Sequence, residues 1–379
     1  MASELYFRIF TTVAALPQDW DTIAEPNIFL SSRYLALLEK APPKNMECFF
    51  IGLYKNGTLG GIALAQYIDL CSINPFGTKK NNWVKEYLFR RFSSNILIIG
   101  NNMLTGQNAF LLANTITIQE GLLLLKDVLD VIKGIYRKKR MKINLLAVKD
   151  FNESEFPDFE SAGFKGYFRF CTQPNMIFSI KEKWASVDDY LTSINTKYRT
   201  QYNRARKKSH GVEKKKLTKE DIVIYRDRIY ALYATVANNA SFNTFLLPEN
   251  HFEIFKESLK DDFLFYGYFI DNELAGFSTL IKNGPDMDTY FLGYDDRVQK
   301  EKMLYLNMLY DMVAYAIKKK FKHVILARSA MEIKSSVGAK AEEVYGIIKH
   351  TNPVLNLFMG KLFTYFDPKV EWKERNPFK

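Results

Sequence analysis

The spacing of apolar residues divides the chain into strands and helices that recur, in the same order, twice. Near the start, Glu4-Leu5-Tyr6-Phe7-Arg8-Ile9-Phe10 alternates in the manner of a strand. The stretch Gly52-Leu53-Tyr54-Lys55-Asn56-Gly57-Thr58-Leu59-Gly60-Gly61 can be laid without a gap over Gly267-Tyr268-Phe269-Ile270-Asp271-Asn272-Glu273-Leu274-Ala275-Gly276. Both begin and end in glycine, carry leucine at the eighth place, and hold an Asn-Gly or Asp-Asn pair in the middle. Such pairs tolerate the left-handed backbone of a tight turn, so each stretch predicts a hairpin.

Each hairpin is followed by a further strand, at 95–100 in the first copy and 289–293 in the second. A long helix comes next. Leu125, Val128, Leu129, Ile132 and Ile135 mark the apolar face of one, and Leu309, Met312, Val313, Ala316 and Ile317 that of the other. Both helices run into basic clusters, Arg137-Lys138-Lys139-Arg140 and Lys318-Lys319-Lys320, which suit the negative end of a helix dipole. Strands at 143–148 and 322–327 follow, and each copy then reaches a small-residue turn, Ser161-Ala162-Gly163 or Ser336-Val337-Gly338. The repeat predicts two similar α/β lobes.

The last strand of the second copy ends in charge. Arg328, Glu332 and Lys334 follow it closely, at the place where open α/β sheets put their ligands. Charge at that density needs water, an ion partner or a substrate, and a solvated turn is the plain alternative.

Composition narrows the classes of function. With 379 residues, 47% of them hydrophobic, the chain suffices for two or three domains with a sizeable core. Its 53 Lys and Arg against 42 Asp and Glu leave a net charge of +11. That favours anionic partners: a phosphate-bearing co-substrate, an anionic membrane surface or nucleic acid. Much of the excess falls in 184–216, which reads as helical and then strongly basic. From 197 onward, Lys197, Arg199, Arg204, Arg206, Lys207, Lys208, Lys214, Lys215 and Lys216 face one acid, Glu213. This is either a solvated face or a contact for phosphate or an anionic surface. Tyr198 and Tyr202 alone accompany these cations, too few for a base-stacking platform on single-stranded nucleic acid.

Cys48, Cys71 and Cys171 are scattered, and His210, His251, His323 and His350 do not cluster, so neither a metal site nor a histidine triad is expected. The sequence shows no secretory signal and no run of about 18 apolar residues. The expectation is a cytoplasmic protein, with peripheral contact to the inner face of a membrane left open. Leu355, Phe358, Met359, Leu362 and Phe363, beside Lys361, pattern an amphipathic helix that would dock on the body or touch such a surface. Tyr365 and Phe366 add to its aromatic content.

Four features, in order, carry a resemblance. They are Asn195-Thr196-Lys197-Tyr198-Arg199 followed by Arg204-Ala205-Arg206-Lys207; the stretch 230–242 leading to Pro248; Leu274-Ala275-Gly276-Phe277 with Tyr290-Phe291-Leu292-Gly293-Tyr294-Asp295; and Leu304-Tyr305-Leu306 opening a helix that feeds Arg328 to Gly338. On these, over about 49–349, the chain resembles the GCN5-related N-acetyltransferase superfamily. Within it, the chain looks like the double-lobed branch of peptidoglycan-bridge peptidyltransferases and FemAB-like acyltransferases. The resemblance implies an α/β (α+β) fold of two tandem lobes, 1–180 and 181–379. Each would be a mixed, mostly antiparallel sheet flanked by helices, with the active site in the second.

It also implies a chemistry. An amine attacks an activated acyl carbonyl, usually a coenzyme A thioester; backbone N–H groups of a splayed strand polarise the carbonyl and a helix N-terminus binds phosphate. Here the splayed strand would be 290–295 and the helix would open near 302–306, with Arg297, Lys300, Lys302 and Tyr305 about the donor. Glu332 would be the general base, directly or through a water, unless it merely pairs with Arg328 or Lys334. Lys334 would anchor a substrate carboxylate or phosphate, and Asp295 would orient the amine or else cap a helix. Arg328, Tyr290, Tyr294 and Arg199 would meet the substrate, the two tyrosines being core in the plainer reading.

One departure matters. Where simple acetyltransferases carry a glycine-rich pyrophosphate loop, this chain reads Arg297-Val298-Gln299-Lys300-Glu301-Lys302-Met303. That stretch argues against coenzyme A bound in the usual manner; the expected co-substrate is acyl-CoA or another acyl donor such as an acyl-carrier protein, with no permanently bound cofactor and no metal. The leading expectation is an N-acyltransferase acting on an amine of a lipid or cell-envelope precursor. An aminoacyl-tRNA-dependent peptidyltransferase and a non-catalytic binding module on the same fold stand beside it.

Overall fold

The computed structural model describes residues 4–73, 83–106, 109–171, 173–240, 243–366 and 371–379. Its strands are β1 (Leu5–Phe10), β2 (Met46–Lys55), β3 (Thr58–Asp69), β4 (Asn95–Ile99), β5 (Phe110–Leu112), β6 (Leu145–Phe151), β7 (Phe168–Cys171) and β8 (Asn175–Ser179). The chain continues with β9 (Glu213–Lys216), β10 (Phe263–Ile270), β11 (Glu273–Asn283), β12 (Asp286–Tyr294), β13 (His323–Ile325), β14 (Lys340–Glu342) and β15 (Tyr345–His350).

The strands form two sheets, ordered β1-β2-β3-β4-β6-β15-β7, with β5 paired to β3, and β14-β8-β13-β12-β11-β10-β9. Taken from its β9 edge, the second sheet matches the first place for place. The hairpins β2/β3 and β10/β11 correspond, β4 runs parallel to β6 as β12 does to β13, and the remaining pairs are antiparallel in both. The expected duplication is therefore present, and each lobe is a mixed, mostly antiparallel sheet flanked by helices.

The hairpins turn where the sequence indicates, with positive φ at Asn56 and Gly57 in one and at Asp271 and Asn272 in the other. Helix Ile118–Lys138 starts in a capping box of Thr117 and Glu120. It buries Leu125, Val128, Leu129 and Ile132, whereas Ile135, a turn beyond, is 36% exposed. Helix Leu304–Lys319 buries Leu309, Met312, Val313, Ala316 and Ile317, each such side chain contributing about 1.5–3 kcal/mol for the larger ones.

Three details differ from expectation. The next-to-last strand of each sheet comes from outside its own sequence block: β15 sits between β6 and β7, and β8 between β13 and β14. The compact units are accordingly 1–172, 241–248 and 343–369 against 173–240, 249–342 and 370–379, so a cut between 180 and 181 follows neither sheet. The basic segment is not helix and loop alone. Its end forms β9, an edge strand whose lysines discourage pairing with another chain. The C-terminal apolar pattern splits into helices Pro353–Asn356 and Met359–Phe366, leaving Leu357 and Phe358 exposed between them while Phe363 stacks on Phe170. The side chains of Tyr365 and Phe366 lie outside the described residues. Among the described residues no helix is long and apolar enough to cross a membrane.

Candidate active site

The second lobe opens where its parallel pair separates. β12 and β13 are in register only from Asp286 to Asp288 against His323 to Ile325. From Thr289 to Tyr294, β12 keeps β11 on one side and has left β13 on the other. Gly293 permits this. A Cβ there would stand 2.6 Å from the Leu232 carbonyl carbon and 2.7 Å from the Tyr233 nitrogen, so helix Arg226–Asn239 can press against the strand only at glycine.

Beyond β13 the backbone is strained. Ala327, Ser329 and Ala330 have φ of 57°, 66° and 47°, a left-handed conformation that costs a non-glycine residue about 1 kcal/mol or more. Lys334, buried on the short helix Met331–Val337, secures the turn: its Nζ donates to the carbonyls of Arg328 at 2.6 Å and Ala327 at 3.2 Å. The Ser329 N–H donates to Gln173 Oε1 at 3.1 Å and the Met176 N–H to the Ala327 carbonyl at 3.2 Å. Burial lowers the Lys334 ammonium to a pKa of about 7. Gly338 closes the helix at φ 113°, where a Cβ would meet the Phe378 ring at 2.6 Å.

This turn walls a cavity of about 670 Å³. Ser329, Ala330, Met331, Glu332, Ile333 and Ser336 line one side; Lys197, Tyr198 and Gln201, from helix Thr196–Lys208, line another. Gln173, Trp372 and Arg375 complete it. Gln201 Nε2 donates to Ser336 Oγ at 3.0 Å and to the Tyr310 hydroxyl at 3.2 Å. The segment carrying Trp372 and Arg375 is tied down by Asn195 N–H to the Pro377 carbonyl at 2.8 Å, by Phe378 against Trp184, and by Arg375 N–H to Ser335 Oγ at 3.0 Å. The Arg375 guanidinium forms an ion pair with Glu332 on the cavity wall.

No protein-family model and no curated protein sequence matches the chain. Solved structures do. FemX superimposes with a TM-score of 0.56 at 12% identity, over 95% of this chain and all (100%) of its own. A tandem GNAT protein from the clavulanic acid biosynthesis pathway gives 0.51 at 11%, over 92% and 99%. The C-terminal domain of a putative lysylphosphatidylglycerol synthetase from Agrobacterium fabrum gives 0.50 at 8%, over 94% and 98%. The chain has the tandem acetyltransferase-like fold.

In the second acetyltransferase-like lobe, Arg328 lies in the strained turn and Glu332 and Lys334 on the helix that follows it, but of the three only Glu332 lines the cavity. Glu332 is held by Arg375, not by Arg328 or Lys334. Lys334 turns its amine onto backbone carbonyls and is not among the cavity's lining, so it positions the turn rather than reaching a ligand there. Half-buried Arg328 lies in the strained turn itself. Arg199, half-buried, donates to Thr196 Oγ1 on its own helix, next to the lining residues Lys197 and Tyr198.

The remaining predicted residues gather elsewhere in this lobe. Asp295 is the N-cap of helix Asp296–Lys302, accepting from the Arg297 N–H, and Arg297 (2.6 Å) and Arg228 (2.9 Å) grip its carboxylate. The Arg297 and Arg228 hydrogen bonds hold it well below the usual carboxylate range. Lys302 donates to the His210 carbonyl at 3.3 Å and Lys300 is exposed. Tyr290 bonds His251 Nε2 at 3.0 Å and stacks on Phe255. Tyr294 and Tyr305 pack together half-buried, and burial raises both hydroxyls.

Sequence reasoning missed Gln173, Gln201, Trp372 and Arg375. The signal for the last two was modest: an aromatic and a cation in an otherwise polar tail that ends Pro377-Phe378-Lys379.

Proposed function

We propose that the protein is an N-acyltransferase that moves an acyl group from a coenzyme A or acyl-carrier-protein thioester to an amine of a lipid or cell-envelope precursor. The observation that carries this is the carboxylate of Glu332 on the wall of a cavity at the strained end of the splayed pair, in an acetyltransferase-like lobe. The substrate amine first gives a proton to Glu332, directly or through a water, as Arg375 moves from that carboxylate to the substrate. The neutral amine then attacks the acyl carbonyl: the C–N bond forms, the C–S bond breaks, and the departing thiolate takes up a proton. In this scheme backbone N–H groups of β12 beyond Asp288, where its pairing with β13 ends, would serve the developing oxyanion. Asp295 already caps helix Asp296–Lys302, so the donor's phosphates would rest on exposed Lys300 rather than on that helix N-terminus.

The test is direct. Incubating the protein with acetyl-CoA, long-chain acyl-CoA or an acyl-carrier-protein thioester and a panel of amines should give a base-stable amide, identified by mass. Glu332→Gln should lower kcat by about 10²–10⁴. Absence of amide with every thioester, or full turnover by Glu332→Gln, would remove the thioester scheme or the base respectively.

A second reading has its own support. Arg204, Lys207 and Lys208 lie exposed on the helix that lines the cavity, a basic surface suited to tRNA. Amide formation from aminoacyl-tRNA alone, falling steeply with salt, would select an aminoacyltransferase instead.

A further inference from the structure

Within the acyltransferase reading, the cavity says more about the acceptor. Two opposite charges, Glu332 and Arg375, meet on its wall and neutralise each other. A ligand with an amine alone could take Glu332 only by leaving the arginine without its partner. A ligand with a carboxylate alone would strand Glu332 in the same way. An α-amino acid carries both charges on one carbon, and as Arg375 parts from Glu332 it can enter between them so that each regains a partner. Its ammonium would then lie against the carboxylate proposed to take its proton. Trp372, Tyr198, Met331 and Ile333 supply apolar surface for a side chain, and Lys197 reinforces the cationic side.

We infer that the precursor carrying the acceptor amine is a free α-amino acid with an apolar or aromatic side chain, the starting point of an N-acylamino-acid lipid, bound by Arg375 at its carboxylate and Glu332 at its amine. The side chains of Arg375 and Glu332 are 31% and 51% exposed, so solvent screens the pair and the discrimination it provides is moderate.

Calorimetry on the full chain, without any acyl donor, tests this with three probes: L-phenylalanine, its amide, and N-acetyl-L-phenylalanine. L-phenylalanine should bind saturably, and both blocked forms about fivefold more weakly, the ratio one screened charge contact provides. Arg375→Met should equalise L-phenylalanine and its amide, and Glu332→Gln should equalise L-phenylalanine and the N-acetyl form. A melting scan of each variant checks that it is folded, and Trp372→Phe should abolish the ligand-induced fluorescence change while calorimetric binding persists. Equal binding of all three probes, no saturable binding of any, or preferences unmoved in both folded variants would overturn the inference. Because no donor is present, the expected binding pattern together with failure of every thioester to acylate would refute the acyltransferase reading alone. Acylation of phenylalanine amide as readily as phenylalanine would refute only this one.

Discussion

The two lobes place a buried lysine at corresponding ends of the same topology and treat it in opposite ways. In the first, Lys149 reaches from β6 to the carbonyls of Asn101 at 2.8 Å and Leu104 at 2.9 Å, and forms an ion pair with Asp150, whose φ is 64°. Its stem packs so closely over the end of β4 that a Cβ on Gly100 would come within 2.5 Å of Lys149 Cγ. In the second, Lys334 also donates to two carbonyls, yet no carboxylate pairs with it among the described residues, and the turn it holds faces a cavity. A counter-ion makes a buried cation a fixed structural element. Without one, the same cation becomes a titrating group beneath a strained turn.

Removing that counter-ion is the sharpest way to break the comparison. Asp150→Asn would leave Lys149 buried without its counter-ion, and should lower stability to urea by about 3–5 kcal/mol. The measurement is the unfolding midpoint at constant slope. A loss below about 1 kcal/mol would mean that the Asn101 and Leu104 carbonyls suffice, and that the lobes do not differ as argued.

The second lobe answers to pH. Lys334 titrates near 7 folded and near 10.5 unfolded. Between those values the unfolded chain holds the extra proton, so stability rises with pH across the window and is flat in this respect below about 7. The slope approaches about 1.4 kcal/mol per pH unit at most. Lys334→Met should flatten the rise between pH 7 and 10. The absolute change at pH 7 is less diagnostic, because the substitution also strips two carbonyls of their donor. An unchanged slope would show that Lys334 stays charged in its site.

What the sequence discloses follows from what is local. Asn56-Gly57 and Asp271-Asn272 specify their turns within a few residues, and the apolar faces of the two long helices are periodic, so the repeated order of elements is readable. The exchanged strands are not, because β8 and β15 are short apolar runs that fit either sheet equally well. The site is half legible. Arg328, Glu332 and Lys334 declare themselves as charge after a strand, but Arg375 lies 43 residues beyond Glu332 and Arg228 67 residues before Asp295. No spacing rule spans such distances. Lys334 reads as ligand-facing when its polarity is weighed above its neighbours; Ser335, Ser336, Val337, Gly338 and Ala339 are all buried and small enough to pack closely around it.

The splay itself is open to a smaller perturbation. Gly293→Ala would set a methyl against the backbone of Leu232 and Tyr233, which cannot yield as a side chain can. A destabilisation of about 1–3 kcal/mol is expected, the usual range for overpacking, with β12 pushed from its helix. Gly57 provides the control: a Cβ added there would find nothing within 4 Å, but φ is 82°, so Gly57→Ala meets backbone strain without a clash. A cost at Gly293 indistinguishable from zero, beside a measurable one at Gly57, would mean that close approach at Gly293 adds nothing to the fold.

The smallest effects should come from the far end of β12, where charge is plentiful and structural. Asp295→Ala deletes a helix N-cap and the acceptor of two arginines, and should cost about 1 kcal/mol in thermal or urea unfolding. Arg297, with its side chain 81% exposed, adds to a carboxylate that Arg228 already holds, so Arg297→Ala should leave the melting temperature unchanged within error. If the guanidinium instead served a phosphate of the acyl donor, Arg297→Ala would raise KM for the donor severalfold with stability unaltered. The pair of variants therefore separates a capping network from a donor site: stability moves with Asp295 and KM with neither in the first case, whereas KM moves with Arg297 in the second. Engagement of Arg297 by Asp295 through both its backbone N–H and its guanidinium favours the first.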